Sequence, residues 1–127
     1  MLNATINCKV WSRHRRLRPN EHNLAIAFWR DYLSISQEVR AEKISPYQVT
    51  DERGRSGSSL TGVTFTETQA IIYHTRALTG EDIIHELLHV SHSDWNEQMV
   101  VQETDRLVVL MSSCAKQISP KLGYAPV

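Results

Sequence analysis

The run that most constrains this chain is His85, Glu86, Leu87, Leu88, His89, inside EDIIHELLHVSH. A helix turns about 100° per residue, so two side chains four apart lie one turn apart on the same side. Imidazole nitrogens so placed can grip one ion, and Glu86, beside the first, can polarise a water that the ion holds. Two neutral nitrogen ligands leave room for a third protein ligand and an open position, the coordination of catalytic zinc. Zn2+ brings the pKa of its bound water to near 7. The run therefore implies metal-assisted hydrolysis, with His85 and His89 as metal ligands and Glu86 as the catalytic base. The plain alternative is a surface helix carrying two incidental histidines, so the surrounding residues matter.

Thr79 and Asp82 make a T-x-x-D capping box, which starts a helix near Gly80. On its wheel Ile83, Ile84, Leu87, Leu88 and Val90 take the half opposite His85 and His89, so one side packs and the other faces a cleft. His92 shares the ligand side. Ligands at i, i+4 and i+7 would span about 10 Å of helix axis, too far for one ion, so His92 is expected at the helix end or cleft wall. Asp94, Trp95, Asn96 and Glu97 read as a second capping box, opening a helix that runs to about Ala115. There Met99, Val100, Glu103, Leu107, Leu110, Met111 and Cys114 share an arc of roughly 120°. A carboxylate inside an apolar stripe needs a partner. The level of an ion between His85 and His89 falls near residue 101 or 102 of a returning helix, which a side chain leaning toward the N-terminus reaches from Glu103. Glu103 is thus the expected third metal ligand. Glu97, already accounted for as a cap, is the next choice, ahead of Asp94 and His92.

The remaining stretches supply the frame. Residues 4–11 alternate as a strand, with Ile6, Cys8 and Val10 on one face. Arg13, Arg15, Arg16 and Arg18 crowd ahead of Pro19; a solvated loop is favoured over a phosphate-binding or base-stacking patch, because charge runs are usually solvated. Asn20 caps a helix expected to reach about Lys43, with Leu24, Phe28, Tyr32, Ile35 and Val39 buried and Asp31 pointing inward. A short strand over 44–50 and a protruding Gly/Ser-rich loop over 51–59 follow. Leu60–Thr66 and Gln69–His74 flank Glu67 and Thr68 as a hairpin. The tail over 116–127 holds Pro120, Gly123 and Pro126 and is not helical, and Tyr124 is not expected to reach the cleft. These elements make an α+β fold: a small mixed or antiparallel sheet of three or four strands packed on three helices, in a single domain over 1–127.

At 127 residues and 41% hydrophobic content the chain suits one domain with one core. Fourteen basic residues balance fourteen acidic ones, which argues against global attraction to nucleic acid or membrane. No apolar run is long enough to span a bilayer, and MLNATINCKVW lacks the pattern of a signal peptide. Cys8 and Cys114 form neither metal spacing nor a disulfide framework, and are expected to be small core residues. The expectation is a cytoplasmic protein with a peptide or protein substrate, without membrane or nucleic-acid partners; oligomeric state stays open.

With HELLH, a second capped helix and Glu103, the chain resembles the gluzincin class of zinc metallopeptidases, in particular the minimal single-domain kind and small prokaryotic or phage-type HExxH proteins. The resemblance covers roughly residues 60–111: the hairpin LTGVTFTETQAIIYH, the zinc helix EDIIHELLHV and the glutamate helix WNEQMVVQETDRLVVLM. It implies Zn2+ held by His85, His89 and Glu103, Glu86 as general base and acid, and a peptide cleft with an upper-rim strand. Two features depart from the family's pattern. The gap from His89 to Glu103 is shorter than in large gluzincins, and Leu107 stands where a carboxylate often supports a histidine. VSHSDW after His89 lacks the extension of metzincins. The rival reading is a non-catalytic zinc-braced module, binding a protein or nucleic acid through the hairpin edge or the Arg13–Arg18 patch. A third is a latent protease blocked by its own tail.

Overall fold

A helix that opens on proline sets the first layer. The computed structural model describes residues 13–46 and 60–111; the strand expected over 4–11, the loop over 51–59, the tail, Cys8, Cys114 and Tyr124 lie outside them. Helix α1 spans Pro19–Tyr32. Pro19 suits the first turn, where its missing N–H would have no helical partner. Glu21 reaches back to accept the Arg18 N–H at 2.8 Å, and Arg15 forks onto the same carboxylate at 3.1 and 3.2 Å. The cap is therefore Arg18, two positions before the expected Asn20.

The helix ends eleven residues earlier than the expected Lys43, with Ser34 at φ 58° turning the chain out of it. Glu38–Lys43 forms strand β1 instead. Helical periodicity carries through EVRAEK as well as strand alternation does, and the pairing partner decides: β1 lies parallel to β3, Glu38 opposite Gln69 through Lys43 opposite His74. The ladder continues as the Ile44 N–H donates to His74 O at 2.8 Å. With the helix shortened, Asp31 is exposed rather than inward, and the buried set is Ala25, Ile26, Phe28 and Trp29, with His22.

The hairpin forms as expected, from β2 (Thr61–Phe65) and β3 (Gln69–His74) in antiparallel register. Its two-residue turn has no glycine because Thr66 closes it. The Thr66 hydroxyl accepts the Gln69 N–H at 3.0 Å while the Thr66 N–H donates to Gln69 O at 2.8 Å. Gly62 makes room for a neighbour: a Cβ there would lie 2.3 Å from the Tyr73 hydroxyl, so a larger residue would displace the ring that crosses β2. The sheet order is β1-β3-β2, so the described fold is a three-stranded mixed sheet with three helices, an α+β architecture.

Helix α2 (Gly80–Ser91) packs against α1 and the hairpin, and α3 (Glu97–Met111) packs on α2. Leu17, Phe28, Trp29, Ile72, Leu78, Ile83, Ile84, Leu87, Leu88, Val100 and Leu107 form one core between them. The arginine-rich segment stitches rather than protrudes. Leu17 N–H donates to Leu78 O at 2.7 Å, Arg16 bridges Thr79, and Arg13 clamps Glu81 of α2 and Asp105 of α3 together. Among the described residues no helix is long and apolar enough to cross a membrane.

Candidate metal centre

Helix α2 begins where its letters place it. Thr79 Oγ1 accepts the Asp82 N–H at 3.1 Å, and Asp82 accepts the Thr79 N–H at 2.9 Å. Arg76, just before the helix, forks onto Asp82 at 2.6 and 3.0 Å. Burial pushes the Asp82 carboxyl up, but the Arg76 guanidinium and the Thr79 groups outweigh it and hold the pKa below the ordinary value. This buttress fixes the register of the helix: Ile83, Ile84, Leu87 and Leu88 are fully buried, and His85 and His89 emerge on the other side.

There the two imidazoles converge on one atom. His85 Nε2 and His89 Nε2 each lie 2.9 Å from Glu97 Oε1, while the two rings sit edge to face with centroids 5.0 Å apart. These three residues are the metal-capable group among the described residues, with ligand atoms all within 4.8 Å of one another. A tetrahedral shell with bonds of 2.0–2.1 Å has edges of about 3.3 Å. The two nitrogen–oxygen distances of 2.9 Å fall a few tenths of an ångström short of that edge. The donor set of two imidazoles and one carboxylate fits a divalent first-row metal. The histidine side chains are 23% and 28% exposed and that of Glu97 63%, so the carboxylate forms the outer lip of the site.

Glu103, the expected third ligand, lies elsewhere. It is bound bidentately by Arg106 at 2.7 and 2.6 Å, and that guanidinium is the leading cause of its lowered pKa. Two features of α3 explain the exchange with Glu97. Asn96, not Asp94, caps the helix, its Oδ1 accepting the Met99 N–H at 2.9 Å. Glu97 is thereby released from capping and becomes the first helical residue, beside the last turn of α2. The buried stripe is also rotated: Val100, Thr104, Leu107 and Val108 face the core while Met99 is 42% exposed. Thr104 enters the core because its hydroxyl donates to Val100 O at 2.7 Å, which no apolar wheel registers. Glu103 then falls on the flank, where an arginine one turn on reaches it.

His92 ends α2 as its C-cap, as expected, and stacks on Trp95 with ring centroids 3.7 Å apart and planes 4° from parallel. Glu86 is where the spacing puts it, adjacent to the ligand pair, but it is far more enclosed than an exposed helix face would suggest, at 5% exposure. Burial pushes its carboxyl above the ordinary value, against the pull of His85, His89 and a hydrogen bond from Thr61. For Glu97 burial also acts upward, and the hydrogen bond from His89 with the charges of both histidines outweighs it, leaving the carboxyl lowered. Of the basic run, Arg13 and Arg15 spend their charge on Glu81, Asp105 and Glu21.

No family model, curated protein or solved structure matches the chain.

Proposed function

We propose that this chain is a zinc-dependent hydrolase cleaving peptide bonds, related in chemistry to the gluzincin-like metallopeptidases that its HELLH helix resembles. The observation that carries the proposal is the convergence of His85 Nε2 and His89 Nε2 on one oxygen of Glu97, with a buried Glu86 beside them. Zinc would be held by His85, His89 and Glu97. Bound there, it supplies Lewis acidity and acidifies water at neutral pH.

The chain's own groups do the rest. Glu86 accepts the proton of the attacking water and returns it to the leaving amine, the two halves of general base and acid catalysis. Its enclosure serves both halves, because a carboxyl desolvated among apolar neighbours holds a proton better than one in water, while the charges around it oppose full neutralisation. His85 and His89 emerge opposite a fully buried face of α2, so the core fixes their directions. Glu97, mostly exposed, leaves the outer side of the site accessible to an extended chain. The donor set would also suit other first-row ions, and it is Glu86 that favours hydrolysis over redox chemistry. Two ion-paired arginines weaken the rival module that binds nucleic acid through the Arg13–Arg18 patch.

The test is metal analysis of the purified protein together with Glu86→Gln. Stoichiometric zinc in both proteins, with cleavage of a quenched-fluorescent peptide library by the wild type alone, is the expected result. Equal cleavage by the two would remove Glu86 from the reaction.

A further inference from the structure

We infer that Thr61, the first residue of β2, is a positioning residue for Glu86, an inference that rests on the hydrolase reading above. Its hydroxyl donates to Glu86 Oε2 at 3.3 Å, across 25 residues of sequence, from the sheet to the helix that carries the histidines. A glutamate has three rotatable bonds, and a base that must meet one proton in one place gains from losing that freedom before the substrate arrives. Committing Oε2 to the sheet leaves Oε1 for proton transfer. Glu86 is nearly enclosed, so a hydroxyl facing it also supplies a donor that a buried carboxylate otherwise lacks.

The donor is itself held in place. Leu60, the residue before Thr61, is tied to Thr75 by three bonds: its N–H donates to Thr75 Oγ1 at 2.8 Å, and its carbonyl accepts from the Thr75 N–H at 3.0 Å and the Thr75 hydroxyl at 3.3 Å. Thr61 then enters the ladder opposite His74. The end of an edge strand, ordinarily the part of a sheet that frays, is thus pinned immediately before the residue that bonds Glu86. A threonine opening a strand would otherwise be explained by β-propensity alone, and propensity does not need its hydroxyl.

Thr61→Val keeps the shape and removes the hydroxyl, and Thr61→Ser keeps the hydroxyl. On the best-cleaved member of a quenched-fluorescent peptide library, the zinc-loaded Thr61→Val protein should lose roughly ten- to a hundredfold in kcat, the scale of a misplaced catalytic group. KM and zinc affinity should hold, and Thr61→Ser should recover most of the rate. In the metal-free protein, the carboxylate infrared band assigned by difference against Glu86→Gln should shift in Thr61→Val and return in Thr61→Ser. An unmoved band, or an unchanged kcat in Thr61→Val where Glu86→Gln is inactive, overturns the positioning role and leaves the hydrolase reading standing. A zinc-loaded wild type as inactive as Glu86→Gln overturns the hydrolase reading. A band shift in that case reduces the Thr61 bond to a structural contact, which overturns the positioning role as well.

Discussion

Glu97 and Glu103 sit six residues apart on one helix, and their exchange turns on a single cap. If Asp94 capped α3, Glu97 would be occupied with the backbone; because Asn96 does so, Glu97 is free to swing to His85 and His89. Zinc affinity, measured by competition with a chromophoric chelator, should fall tenfold or more in Glu97→Ala, the usual scale for disturbing a metal shell. Glu103→Ala should bind zinc as the wild type does, since its carboxylate belongs to Arg106. The same loss in both variants would return the choice of ligand to open question. The place of Glu86 in the motif was legible in the sequence, whereas its hydrogen bond from Thr61, a residue of another element, was not.

Within elements, hydrogen bonds at helix ends outweigh the periodicity of the middle. Thr79→Ala removes the acceptor for the Asp82 N–H and should cost about 1 kcal/mol of stability by urea denaturation, the typical value for an N-cap. Asp82 adds a pH dependence. Its folded pKa is depressed, so the stability it contributes is present above the unfolded value near 3.8 and is lost as pH falls through the folded value. Acid titration of stability should therefore show a loss below about pH 4 that is reduced in Asp82→Asn. The hairpin, the capped start of α2 and its buried face were all legible because each rests on contacts close in sequence. β1 was not. Its residues suit helix and strand alike, and the choice lies in the open edge of β3, formed by residues some thirty positions on.

At the scale of the molecule, one core supports the ligand face, and loss of either should be felt by both. Leu87 is fully buried on the opposite side of α2 from the histidines, so Leu87→Ala should cost about 2–5 kcal/mol and weaken zinc binding with it, read by calorimetry and by chelator competition. The cluster joins α2 to α3, so zinc at a hundredfold excess over Kd should stabilise the wild type by about 2.7 kcal/mol, and at the same zinc concentration this gain should fall to about 1.4 kcal/mol or less in Glu97→Ala. Away from the cluster, His22 and His74 meet edge to face in the interior, ring centroids 5.2 Å apart. Burial, followed by the neighbouring charge of His74, holds the His22 pKa below its ordinary value, against a hydrogen bond with Leu17 and the charge of Glu21. A depressed histidine favours folding while neutral, so stability should decline as pH drops below about 6.5, until the folded value is passed. His22→Phe, scanned without metal, should flatten that decline. What the letters determined by themselves was whatever a helix or a turn settles locally: the direction of His85 and His89, the start of α2, the apolar face behind them and the hairpin that precedes them. Only the tertiary structure decided which acid meets those histidines, where α1 yields to β1, and what encloses Glu86, because each depends on groups distant in sequence whose meeting is set by packing and pairing.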